Sequence, residues 1–144
     1  MAFFLALVMK KRIFFLFGAL WLTACGSQND FKTLIKNVES YNHDLLFERY
    51  EIAAKNIAPE SRAQWLESIQ SQHLHFAEIE IASTAPCESD EIIDDELYDP
   101  EKCAVIFSQV QWYVNGSPSV QNERIRSVWQ YAREEKAWYI VDQH

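Results

Sequence analysis

The chain has 144 residues, 49% of them hydrophobic, 14% aromatic and 24% charged, and a formal net charge of -8. That balance suits one globular domain with a targeting segment and excludes a disordered chain, while the acidity argues against nucleic acid as a partner. Three glycines, Gly18, Gly26 and Gly116, cannot be arranged as Gly-x-Gly-x-x-Gly or a P-loop, so the usual nucleotide cradles are excluded and no cofactor is expected.

Residues 1–24 contain no acidic residue; Lys10, Lys11 and Arg12 precede an apolar run from Ile13 to Leu22. A basic cluster, a run of about ten apolar residues and small residues before a cleavage point make a secretory signal peptide. The run is too short for a transmembrane helix, which needs about 20 residues. Apolar residues before the basic cluster are unusual in such a signal, so Met9 is the expected translation start. The signal ends in Leu22-Thr23-Ala24-Cys25, which resembles the lipobox of bacterial lipoproteins. The resemblance implies cleavage before Cys25, lipid on its sulfur and a palmitate-type acyl chain on its amino group. It further implies a location in the cell envelope, held by that lipid to the outer membrane and facing the periplasm.

Loss of the signal removes only basic residues and takes the net charge from -8 to -11. Residues 25–29 then form a lipidated tether, and residues 30–144 a single domain. Asp30 is placed to cap a helix whose stripe is Phe31, Leu34, Ile35, Val38, Tyr41 and Leu45. A second stretch carries the period through Leu46, Phe47, Tyr50, Ala53, Ala54 and Ile57. Pro59 opens a third helix, whose stripe is Trp65, Leu66 and Ile69. The period then changes to two. Strands are predicted from Leu74 to Ala85, from Cys103 to Asn115, from Val120 to Arg133 and from Ala137 to Asp142; Asn115-Gly116 makes one turn and Glu134-Glu135-Lys136 another. Helices first and strands after, joined as hairpins, give an α+β fold with the helices laid on a curved antiparallel four-stranded sheet.

Cys87 and Cys103 are the cysteines left after Cys25, and an even pair in an oxidising compartment predicts a disulfide; free thiols or a metal pair are the alternatives. Between them lies the insertion 88–102, with eight acidic residues against Lys102. Such a run is usually a solvated loop; Asp94 and Asp95 within it are weak candidates for calcium, although the EF-hand spacing is absent. His73 and His75, two apart on a strand, would share a face and could begin a zinc or copper site, though no further ligand is evident. Arg124 and Arg126 also share a face. They could clamp an anion, or pair with Glu78 and Glu80 on the first strand. Tyr41, Trp65, Phe76, Trp112, Trp129 and Trp138 are core candidates and the possible lining of a pocket.

This order of elements, closing on Trp138-Tyr139-Ile140-Val141-Asp142 after a charged turn, resembles the NTF2-like (SnoaL-like) superfamily. The resemblance implies a cone-shaped pocket between helices and sheet. Its isomerases need a carboxylate base inside that cone, and none can be placed here on the last three strands. The expectation is therefore a non-catalytic module that binds a small apolar ligand or an envelope protein. An isomerase or dehydratase of the same fold and a metal-binding envelope protein are the alternatives. The sequence does not fix the oligomeric state.

Overall fold

The computed structural model describes residues 25–144, with side chains from residue 28 onward. The expected signal peptide and the Met9 start lie outside the described residues. Among the described residues the fold is α+β, with three α-helices preceding a four-stranded antiparallel sheet. Helices α1 (Cys25–Leu46), α2 (Tyr50–Ala53) and α3 (Arg62–Ser71) are followed by β1 (Leu74–Pro86), β2 (Tyr98–Val114), β3 (Gln121–Ala132) and β4 (Ala137–Gln143). No described helix is long and apolar enough to cross a membrane.

The chain divides into two compact units at Ile35 and Lys36. The described part of the first is helical, so the expected tether 25–29 lies within α1, and so does Asp30, which does not cap it. Thr33 donates to the Asn29 carbonyl at 3.0 Å, a local bond that helix geometry offers at this spacing. Phe31, expected in the buried stripe, is 46% exposed.

The second unit holds everything from Lys36. Helix α1 stops at Leu46 because Glu48 turns left-handed, with φ +57°. The Glu48 N–H then donates to Leu45 O at 3.1 Å and the Arg49 N–H to Asp44 O at 2.8 Å, the pair of bonds that closes a Schellman end. The Arg49 guanidinium also meets the buried Asp44 carboxylate at 2.6 Å, so the charge that enters the core brings its partner. The second predicted helix survives only as α2 and a 3₁₀ turn, Ala54–Asn56. Ile57 then runs extended and bridges Ile140, while the Ala58 N–H donates to Ile140 O at 2.9 Å.

The strands pair in the order β1-β2-β3-β4. Residues directly opposite each other share a face, so the register sorts the side chains. One face carries Ile79 opposite Val110, Ile81 opposite Ser108, Ala104 opposite Trp129, Trp129 opposite Ile140 and Tyr131 opposite Trp138. Val38, Tyr41 and Leu45 of α1 close this inner face, with Tyr41 edge-on to Trp129 at 5.9 Å. A register shift between Phe76 and Glu78 leaves Ala77 as the extra residue and keeps Leu74 and Phe76 on the same face as Ile79 and Ile81. The other face carries Val105 opposite Val128, Phe107 opposite Arg126 and Cys103 opposite Gln130.

The insertion lies on that second face rather than standing free. Gln130 is fully buried; its amide donates to Ile93 O at 2.8 Å and accepts from the Ile93 N–H at 2.9 Å. The Arg133 N–H donates to Leu97 O at 2.9 Å. Cys87 and Cys103 are joined in a disulfide, with Cα atoms 5.7 Å apart. In the chain-entropy account a bridge closing a loop of this size contributes up to about 3 kcal/mol. β2 begins at Tyr98, so the last residues assigned to the insertion, Tyr98–Lys102, are strand.

Candidate ligand-binding groove

The expected cone is nearly full. Between Val38, Tyr41, Asn42 and Leu45 of α1 and Ile79, Ser108, Val110, Ile125, Ser127 and Trp129 of the sheet, about 20 Å³ remains, room for one water molecule at most. Neither Asp, Glu nor His lines it. The polar groups there satisfy one another: the Trp129 indole N–H donates to Ser127 Oγ at 3.0 Å, and that hydroxyl donates to Ile106 O at 3.4 Å. Burial raises the Tyr41 phenol well above its ordinary pKa, only partly offset by its hydrogen bonds, so it stays neutral.

An open groove of about 280 Å³ lies instead where α3 passes the end of β4. Ser61, Gln64, Trp65 and Ser68 form one wall; Ile140, Val141, Asp142 and Gln143 form the other, with Ile57 at the base. The apolar period of α3 carries Trp65 to this wall. Gln143 is held from behind, because the Tyr41 hydroxyl and the Trp65 indole N–H both donate to its Oε1 at 3.3 Å. With its carbonyl so occupied, the amide offers only N–H donors to the groove. Arg126 and His144 exchange both backbone hydrogen bonds, at 2.7 and 2.9 Å, so the preceding Gln143 turns its own N–H and C=O away from β3. The wall thus presents donors, hydroxyls, an indole and the Asp142 carboxylate, set on a strand and a helix.

Of the aromatic candidates, Trp65 lines this groove and Tyr41 supports it. Trp129 is wholly buried and Trp138 nearly so, edge-on to Tyr131 at 5.6 Å, with an indole N–H that has no partner among the described residues. Phe76 and Trp112 face each other across β1 and β2 and line neither space; the Trp112 indole N–H donates to Glu123 at 3.2 Å. Cys25 lies in α1, and its side chain is outside the described set.

The remaining candidates are dispersed. His73 is not on β1 but in the turn before it, with φ +49°, so the shared strand face with His75 does not form. His75 stacks on Tyr113 and meets Glu48 at 2.5 Å. Asp95 accepts from the N–H groups of Leu97 and Tyr98 at 2.7 and 3.1 Å, shaping a turn, and Asp94 is exposed. Among the described residues no three His, Cys, Asp or Glu gather as metal ligands. Arg124 and Arg126 do not pair with Glu78 and Glu80: both guanidiniums are engaged elsewhere. Arg124 stands over the Phe107 ring at 4.6 Å and donates to Ser83 at 3.1 Å, and Arg126 pairs with Glu91.

Gln143, Gln64, Ser61 and Ser68 went unnoticed in the sequence. Single glutamines and serines carry no spacing signal, and only the approach of α3 to β4 makes them neighbours.

No family model matches the chain, and no curated protein is similar to it. Among solved structures the chain is similar to the solution structure of a SEC-C motif containing protein from Rhodopseudomonas palustris. The TM-score is 0.52 at 12% identity, covering 75% of this chain and 74% of that one. At that identity the likeness is of fold alone. It corrects the resemblances drawn from the sequence: the structural neighbour is a SEC-C motif protein, and neither the lipoprotein lipobox nor the NTF2-like superfamily is supported. A short four-residue motif and an order of elements are shared by chance too easily to define a family, and the small sheet with its filled interior lacks the cone.

Proposed function

We propose that this chain is a non-catalytic binding module whose ligand sits in the groove between α3 and β4. The observation that carries the reading is Gln143, fixed by Tyr41 and Trp65 so that its amide donors stand beside an indole in an open space of about 280 Å³. A preformed concave site with few, fixed polar groups is the ordinary form of a small-molecule site. The ligand it suits is small and neutral, apolar on one side and bearing hydrogen-bond acceptors on the other, more polar than the ligand expected for a cone. A fragment panel of small amides, esters and polyols, screened by ligand-observed NMR against the full chain, tests this. Binders that are lost with Gln143→Ala and with Trp65→Ala are expected; a panel whose hits ignore both substitutions overturns the reading.

The same proposal places the protein in a cell envelope. Lys10–Arg12 before an apolar run supports export, and the Cys87–Cys103 disulfide suits an oxidising compartment. Cell fractionation checks this, since a product found in the cytoplasm contradicts it.

A further inference from the structure

The two edges of the sheet are treated differently. Beside β4, Ile57 and Ala58 cover the edge at Ile140. Beside β1, among the described residues, no strand pairs with the outer edge at any of its 13 positions. Unpaired N–H and C=O groups along an edge are a template for another strand. Register shifts isolate Ala77 and Ala82 as extra residues, so the regular stretch between them is Glu78-Ile79-Glu80-Ile81.

The two faces of that stretch differ in chemistry. Glu78 and Glu80 are exposed and lie opposite Gln111 and Gln109. Among the described residues neither has a cationic partner, and Arg124 reaches β1 only at Ser83, beyond the second shift. Ile79 and Ile81, on the inner face, form with Leu46 the apolar part of a second open groove of about 300 Å³, which Glu39 and His43 of α1 border. His43 is already engaged by Arg49 at 2.7 Å. A second copy of this chain is a poor occupant, since pairing β1 with β1 would set Glu78 and Glu80 against the same residues of the copy, and like charges across a strand pair repel.

We propose that β1 docks a cationic extended polypeptide by strand addition at Glu78–Ile81, with Lys or Arg on its outward positions and aliphatic residues on the alternate ones. Main-chain bonds hold the added strand, Glu78 and Glu80 select its cations, and the groove beside Ile79 and Ile81 receives its apolar side chains. This surface is separate from the α3–β4 groove.

The probe is a blocked, fluorescein-labelled seven-residue peptide alternating Lys and Val, titrated by anisotropy into the full, oxidised chain. Saturable binding is expected, weakened at least tenfold by Glu78→Gln with Glu80→Gln and weakening as salt is raised, with no binding of the matching Glu/Val peptide. Asp94→Asn with Glu96→Gln, in the acidic insertion, should change the affinity less than twofold. Both glutamates are exposed, so their replacement leaves the fold intact, which circular dichroism checks. Absence of saturable binding overturns the proposal. So does loss of binding in the insertion variant alone, or a self-associated chain that the edge variant converts to monomer.

Discussion

The two faces of the sheet are closed by different physics. The inner face is sealed by apolar contact: Trp129 is completely buried, Tyr41 stands against it, and the polar atoms nearby bond to one another. The outer face also buries Val105 and Val128 but adds hydrogen bonds and charge, with Gln130 clasping the backbone of Ile93, Arg126 pairing with Glu91 and a disulfide holding the insertion at its root. Apolar burial is non-directional and tolerates imprecise placement, whereas a buried amide must find both of its partners. A segment with eight acidic residues can therefore cover a sheet face, because most of the acids it carries point outward.

The largest effect that separates the faces is Trp129→Ala, which removes the bulkiest buried side chain of the inner face. Such a truncation costs about 3–5 kcal/mol. Chemical denaturation should show a global loss of stability on that scale. Gln130→Ala should cost less, about 1–3 kcal/mol, because it strands the N–H and C=O of Ile93. Its mark should be local: hydrogen exchange in the insertion accelerates while the inner-face strands stay protected. Equal acceleration in both regions would show that the faces are not independent.

The smallest effect is at high pH. Burial raises the Tyr41 phenol. Tyr98 is raised too, first by burial and then by Glu60, which its hydroxyl meets at 3.3 Å. A folded-state pKa above the unfolded value means stability is fully present below about pH 10 and declines as pH rises past it. Denaturation midpoints should hold steady up to pH 10 and fall above it. Tyr41→Phe and Tyr98→Phe should each flatten that fall, separating the inner-face contribution from that of the insertion.

Much of this fold was legible in the chain. Alternation of Ile125, Trp129 and Tyr131 against Arg124 and Arg126 set the faces of β3, and the change of period after Gln72 separated helices from strands. The Cys87–Cys103 pairing followed from the two cysteines left once Cys25 is set aside. The turn chemistry at Asn115-Gly116 marked the β2–β3 hairpin, where Gly116 takes φ +85°. Two errors shared a cause, since the His73–His75 pair and the Arg–Glu pairs assumed that residues near in pattern are near in space. A left-handed turn removed the first pair, and other partners, Ser83 for Arg124 and Glu91 for Arg126, removed the second.

The sequence by itself determined the elements, their faces and the disulfide, because hydrophobic period, turn residues and cysteine count act over short range or by simple matching. Tertiary structure alone decided that the interior is filled, that the insertion lies on the outer face and that Gln143 meets Trp65 and Tyr41 across 78 and 102 residues of chain. Those outcomes depend on volumes and on single hydrogen bonds between distant segments, and isolated glutamines and tyrosines carry no pattern that announces them.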